Sequence, residues 1–240
     1  MSSPQEMWEA LPPVTRAWLS ASVAATTLVS FGALDSNKLM FWPPLIWERL
    51  ELWRFLGCFV FFGKFSFNFI MSMFILARFS AGYEADPIKT SAAGGTADYA
   101  FALLLMACVC LVVAWAMESV FMGPTLSFAV LYLWSKRNPE APTSIWGFRL
   151  KGAQLPWGLM AFNVLIGGSP LNDLIGVLVG HVYYFLAEVY PLQSGRAVLS
   201  TPEWLQRMVG GAAGIRVQGA AAHPARHNWG GQGRALGQAN

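Results

Sequence analysis

The chain has 240 residues, of which 55% are hydrophobic and only 12% charged, with eleven tryptophans. A soluble domain of this length needs about a quarter of its residues charged to cover its surface, so the composition excludes that class and makes lipid the solvent of most of the chain. A net charge of +3 with no Lys/Arg run argues against a nucleic-acid partner. Three cysteines without CxxC spacing (Cys58, Cys108, Cys110) point to neither a disulfide scaffold nor a metal site.

In chain order, the leader MSSPQEMWEALPP is acidic where a cleavable signal is basic, so the apolar run 14–34 is expected to be a retained first span. A polar-aromatic loop, 35–63, follows; it contains ELWRFLGCFVFFGK, where Glu51 and Arg54 abut an aromatic run. A second run, 65–77, continues past Arg78, and EADPIKTSAAGGTAD reads as a polar turn. Runs 99–117 and 119–134, separated by Glu118 alone, predict a helical hairpin. The loop SKRNPEAPTSIWGFRLK leads to 152–168, and after GGSP a last run covers 171–190.

Six spans is the most economical count, which predicts an all-α membrane domain over 1–195. Ser200 stands three residues before Glu203, as in a capping box, with Thr201 before Pro202 an equally good cap. Trp204, Leu205, Met208 and Val209 share one face of the helix that follows, so an amphipathic interfacial helix is expected over 196–210. Residues 211–240 are rich in Gly, Ala and Arg and are expected to form a disordered tail, having too little apolar surface to offset chain entropy.

Orientation follows from the basic residues. With six spans, Arg16, Arg78, Lys89, Lys136, Arg137, Arg149, Lys151 and five tail arginines fall on one side, against Lys38, Arg49, Arg54 and Lys64 on the other. Both termini are therefore expected in the cytosol, and the 35–63 loop in the lumen.

Two of the spans are short. Run 119–134 has sixteen residues, and only fourteen lie between Asp173 and Glu188. At ~1.5 Å per residue these reach roughly 21 to 24 Å, against a hydrocarbon core of ~30 Å. Either the bilayer thins or charges snorkel. Asn172 and Asp173 open the last span; they either mark a helix end at the headgroups or line a hydrated cavity.

Gly176 and Gly180 form a GxxxG that permits close helix approach, and Trp53-Arg54 forms a WR pair in the first long loop. The two motifs, in this order and on these spans, resemble the rhomboid superfamily. The words WPPLIWERLELWR, LYLW, LPWGLMAFNVLIGGSPLNDLIGVLVGHVYYFL and LSTPEWLQR bring the resemblance to the Derlin family, over about residues 5 to 208. It implies a six-helix rhomboid-like fold in the endoplasmic reticulum membrane without proteolytic activity. It also implies a role in returning misfolded proteins to the cytosol for degradation, alongside a membrane RING ubiquitin ligase and in a homo- or hetero-oligomer.

The missing chemistry can be read directly. A rhomboid protease needs a GxSG serine on span four and a histidine on span six. No GxSG occurs; the nucleophile's place falls at about Gly123, and the histidine's place, three before Gly176, is Asp173. His181 follows Gly180 and is open to two readings, a proton relay or substrate contact, or a neutral imidazole bonded to a facing helix. Asn163 either glues two helices or joins Asn172, Asp173 and His181 along a polar groove. At the C-terminus, Trp229, Gly231, Gly233, Leu236 and Gly237 match the spacing by which Derlins bind valosin-containing protein, an AAA ATPase. The match departs from the family at Ala235, where an Arg is usual, with Arg234 before it. No cofactor is implied. A small-solute transporter and an active intramembrane protease are the alternatives; no internal repeat supports the former, and the missing GxSG opposes the latter.

Overall fold

The computed structural model describes residues 4–91, 95–145 and 148–213. After a short helix α1 (Pro4–Glu9), α2 (Pro13–Ser30) starts where Pro12 and Pro13 set extended and then helical backbone. It stops four residues before the expected end of run 14–34. Gly32, at φ +75°, provides the left-handed turn, and the Ala33 and Leu34 amides fold back onto the Leu28 carbonyl.

The 35–63 loop is ordered by a 3-10 turn (Ser36–Lys38), α3 (Pro43–Arg49) and α4 (Arg54–Val60). The second span is one continuous helix over 67–85, passing Arg78 as expected. It consists of α5 (Phe67–Ile75), a π turn (Leu76–Ser80) and α6 (Ala81–Ala85).

Helix α7 (Thr96–Met117) is the longest unbroken α-helix and is apolar enough to cross a membrane. It ends on Glu118 in left-handed backbone, φ +53°. The expected tight hairpin is modified here, because residues 119–122 form no regular element and α8 begins only at Gly123, running to Arg137. This connecting segment is used by the loop: the Phe41 amide donates to the Val120 carbonyl and the Met122 amide to the Cys58 carbonyl, each at 2.9 Å. A chain that turned at once would leave those groups unpaired.

The stretch read as a plain loop carries an antiparallel hairpin, β1 (Pro142–Ile145) with β2 (Phe148–Lys151), registered Thr143↔Leu150 and Ser144↔Arg149. Lys151 reaches Glu140 across its base at 2.8 Å, and that hydrogen bond and charge raise the ammonium's pKa.

A 3-10 turn (Gly152–Gln154) leads into α9 (Leu155–Leu165). At eleven residues, or about 16 Å, α9 is much shorter than the expected 152–168 run. Gly167 at φ +85° stops it, and the Gly168 amide returns to the Asn163 carbonyl at 2.8 Å. The last span departs in the opposite sense. Helix α10 (Pro170–Tyr184), a π turn (Phe185–Val189) and α11 (Tyr190–Ser194) make a single 25-residue helix that is apolar enough to cross a membrane. Asp173 and Glu188 therefore bound an apolar belt but not the helix.

Helix α12 (Glu203–Ala213) packs on α7 and lies later than the expected 196–210. Thr201 does not cap it; its hydroxyl donates to Asp98 at 2.6 Å instead. Of the four residues expected on one apolar face, Leu205 is buried while Trp204 and Met208 are exposed.

Helix α8 is the centre of the bundle. Thr125 through Leu133 are all buried, as in a helix surrounded on every side. α2 joins the second span, and α5, α7, α9 and α10 all pack against α8. The main core includes Trp18, Phe59, Phe62, Met106, Met122, Leu133 and Val179; a smaller core of Phe79, Phe128, Leu131, Leu155 and Leu159 lies under α9. Outward, Ile70, Leu104, Val112, Trp115, Leu165 and Leu178 present large apolar side chains to the surroundings, a surface suited to lipid. Cys58 and Cys110 are buried fillers, and all three cysteines are free.

Candidate functional site: a polar groove between short helices

The loop end of the bundle is built around Arg54. Beside its aromatic run Arg54 need not be buried and is expected to tie loop carbonyls or Glu48 and Glu51 together; it is only 4% exposed and makes such bonds to two carbonyls and to Glu51. Its Nε donates to Glu51 Oε2 at 2.6 Å, and its Nη1 donates to the carbonyls of Asn37 at 2.6 Å and Met40 at 2.9 Å. The guanidinium fork thus ties the 3-10 turn to the start of α4, with Trp53 turned outward. Trp18 Nε1 donates to the Phe59 carbonyl at 3.0 Å and Thr26 Oγ1 to the Gly63 carbonyl at 3.2 Å, which seats the loop on α2.

Gly176 and Gly180 face α8. A Cβ at Gly176 would lie 2.6 Å from the Thr125 carbonyl oxygen, and one at Gly180 would lie 2.8 Å from that of Ala129. Both obstacles are backbone, so glycine is what permits the closeness of α10 and α8. Gly123 is under the same constraint, because its Cβ would meet the Phe59 carbonyl oxygen at 2.8 Å.

This packing opens a groove. α5 and α9 both rest on α8, and the space between them is lined by Asn68 and Ser72 of α5, Ser127 of α8, Asn163 of α9 and Asp173 of α10. Asn68, Met71, Ser72 and Ile75 reach it from one helix face, at spacings of three and four. Asn163 Nδ2 donates to Asp173 Oδ2 at 2.8 Å, and Asp173 is buried. An aspartate and an amide held together among apolar helices stabilise a polar path only where water or polar chain can reach them. The cavity is about 80 Å³, room for a few waters and not for a polypeptide.

The four residues grouped as a polar groove are thus separated. Asn163 and Asp173 meet, whereas the half-buried Asn172 is not among the lining residues. His181 lies in a different cleft of about 460 Å³, with Ser135, Lys136 and Trp157. There Tyr132 Oη and His181 Nδ1 are 2.8 Å apart, a bond to a facing helix. Ser127 borders the groove and His181 does not, so no serine–histidine pair is assembled between them.

Sequence reasoning missed the opposite end. Glu84, only 2% exposed, accepts from the Val14 amide at 3.0 Å and from the Thr15 amide and hydroxyl at 2.7 Å each, so it holds the first turn of α2. Thr15 also bonds Ser80, which bonds Tyr99. Asp98, fully buried, accepts from Thr201 and Thr90, which pins the chain entering α12 to α7. Arg137 pairs with Asp86 at 3.0 Å and Glu188 at 4.0 Å, joining three segments at the same end. Within a stretch that reads as a polar turn, the one available signal was Glu84 and Asp98 directly flanking apolar runs. The tail residues Trp229, Gly231, Gly233, Leu236 and Gly237 lie outside the described residues.

A family model described as the Der1-like family matches residues 11–203. The chain is 36% identical to Derlin-1 of Mus musculus over 255 aligned positions, covering 99% of each chain. It is 35% identical to Derlin-1 of Homo sapiens over 256 positions, again 99% of each. With Derlin-1 of Arabidopsis thaliana it shares 33% identity over 215 positions, 87% of this chain and 78% of the relative.

Proposed function

Because this chain belongs to the Der1-like family, we propose that it is a non-catalytic, Derlin-type component of endoplasmic-reticulum-associated degradation that eases the return of misfolded polypeptides to the cytosol. In this reading α2, the helix over 67–85, α7, α8, α9 and the helix Pro170–Ser194 are six spans of a rhomboid-like fold. The Lys and Arg distribution favours both termini in the cytosol and the Arg54 loop in the lumen.

The observation that carries the reading is the buried Asn163–Asp173 pair in a groove beside a span of eleven residues. α9 reaches about 16 Å and α8, with fifteen residues, about 22 Å, against ~30 Å of hydrocarbon. Because α9 faces outward with Trp157, Val164 and Leu165 exposed, the leaflets beside it must thin, or water must enter, to avoid exposing its ends to acyl chains. A Lys or Arg at mid-bilayer costs about 2.5 to 3.5 kcal/mol on insertion scales, so a thinner, hydrated route repays a client at every polar residue. The closed groove admits no chain, so passage requires α5 and α9 to part along a seam where both rest on α8. Proteolysis has no support: Gly123 and Asp173 occupy the places of the rhomboid nucleophile and base, and His181 is engaged by Tyr132.

The partners in this reading are misfolded clients, a membrane RING ubiquitin ligase, other Derlin-type subunits and the valosin-containing AAA ATPase, the last engaged through Trp229 to Gly237. Affinity purification from endoplasmic reticulum membranes tests it, with residues 229–240 deleted as control. The ligase and the ATPase are expected with the full chain, and the ATPase is expected to be lost on deletion. Recovery of neither would favour a small-solute transporter instead.

A further inference from the structure

A cavity larger than the groove is found elsewhere among the described residues. It lies at the loop end, has a volume of about 630 Å³, and is enclosed by α3 and the last turn of α7. Its lining includes Trp42, Trp47, Phe55 and Trp115, with Glu118 the single charged residue. Trp42, Trp47 and Trp115 are 47%, 78% and 69% exposed, so their ring faces are free of protein contact over much of their area. Trp115 also stands beside Val112 on the outward apolar face of α7, which makes the cavity continuous with the surface read above as lipid-facing.

Glu118 is costly where it stands. It ends a 22-residue helix in left-handed backbone, a conformation that suits glycine and strains a side chain. Its carboxylate sits at a helix C-terminus, where the macrodipole is already negative. Among the described residues it has no ion-pair or hydrogen-bond partner. Glu118 thus shares the cavity wall with three indoles, an exposed carboxylate with no protein cation paired to it among the described residues.

That arrangement selects a cation, and the type of wall selects which one. An alkali ion or a primary ammonium loses a tightly held hydration shell on entering an apolar cavity. A quaternary ammonium has a weakly held shell and gains from the negative faces of aromatic rings. We propose that this cavity binds the phosphocholine headgroup of a membrane phospholipid, its trimethylammonium seated among Trp42, Trp47 and Trp115 against the Glu118 carboxylate. The Ser119 hydroxyl, on the cavity wall, is a donor available to the phosphate. The acyl chains then leave along the Val112–Trp115 face of α7. The assignment rests on the reading that the loop end lies at a membrane surface, and it adds a lipid of stated headgroup to that reading.

The test uses the purified full chain in a maltoside detergent, titrated with phosphatidylcholine, phosphatidylethanolamine and phosphatidylglycerol of identical acyl chains and followed by native mass spectrometry. Phosphatidylcholine is expected to be retained about tenfold more tightly than phosphatidylglycerol, a difference of the size that a desolvated cation–aromatic contact supplies. Glu118→Gln is expected to remove that preference while leaving phosphatidylglycerol binding unchanged. Dodecylphosphocholine competing against the wild-type chain serves where a variant does not fold, and it should displace the bound lipid at concentrations where a phosphoglycerol detergent does not. Equal retention of the three lipids, or a preference that survives in Glu118→Gln, overturns the proposal. Client degradation in cells lacking the chain, measured in parallel, separates the two readings: equal retention of the three lipids with degradation dependent on the chain removes this site alone, and a phosphatidylcholine preference abolished by Glu118→Gln with degradation indifferent to loss of the chain leaves the site and removes the Derlin-type role.

Discussion

Replacing Arg54 with alanine removes three hydrogen bonds at once from a side chain that is 4% exposed. The carbonyls of Asn37 and Met40 lose their donor, and the Glu51 carboxylate, 16% exposed, is left without its cation. Each buried acceptor stranded in this way costs about 1 to 3 kcal/mol, and breaking a buried ion pair by deleting one partner costs about 3 to 5 kcal/mol. Glu51 keeps some water, so we take the lower end, about 3 kcal/mol for the site as a whole. The loss is local, because the guanidinium ties the 3-10 turn Ser36–Lys38 to α4 and reaches no membrane helix by hydrogen bond. Amide hydrogen exchange across 35–63, with the protein in nanodiscs, should therefore accelerate by roughly 10²-fold at ~1.4 kcal/mol per decade, while α7 and α8 keep their protection. Arg54→Lys should recover only part of the effect, since an ammonium cannot hold a carboxylate on one side and two carbonyls on the other through a rigid fork. Unchanged exchange in the loop of the alanine variant would refute the argument that Arg54 organises it, and degradation of a lumenal client is expected to fall in step with the loop's loosening.

Three other perturbations follow from the packing. Gly180→Ala places a methyl 2.8 Å from the Ala129 carbonyl oxygen, so α10 must retreat from α8; a loss of about 1 to 3 kcal/mol is expected by thermal melting in detergent, and an unchanged midpoint would show that the helices do not depend on that closeness. Glu84→Ala leaves the Val14 and Thr15 amides without their buried acceptor and should destabilise by about 2 kcal/mol, with Glu84→Gln milder because one oxygen still accepts; equal melting of the two variants would contradict this. Reconstituted in bilayers of increasing acyl length, the protein should be most stable in thin ones, because α9 is eleven residues long; a maximum in thick bilayers would count against local thinning.

Much of this was legible in the apolar runs, since lipid-facing helices carry long unbroken hydrophobicity, and α7 matches its run closely. The GxxxG was legible as well, because close helix packing has few chemical solutions. Helix ends were harder. α9 stops at Gly167 because left-handed backbone there lets Gly168 fold onto Asn163, an event that apolar composition through Ile166 does not announce. Glu84 and Asp98 were hidden for another reason: their burial comes from Thr15, some seventy residues away, and from Thr201, about a hundred away, and a local window sees only a polar turn. His181 went to its own cleft because a GxxxG face turned toward α8 carries the residue after Gly180 toward Tyr132 and away from Asp173. The hairpin β1–β2 had a weak signal in TSI and FRLK around Trp146-Gly147, too short for its period to stand out.

Both long helices that carry polar residues, 67–85 and Pro170–Ser194, contain a π turn near the end opposite the loop. A π turn holds one more residue than an α turn, so everything beyond it is rotated by about 100° relative to an uninterrupted helix. In the first of these helices, Asn68 and Ser72 address the groove before the π turn, whereas Ser80 and Glu84 address α2 at and after it. One rod therefore serves two clients in different directions, and its phase is set by a single inserted amino acid. Deleting any one residue within Leu76–Ser80 would leave composition and hydrophobicity almost untouched, yet swing Glu84 away from Thr15; this helix should tolerate point replacement far better than a change of count.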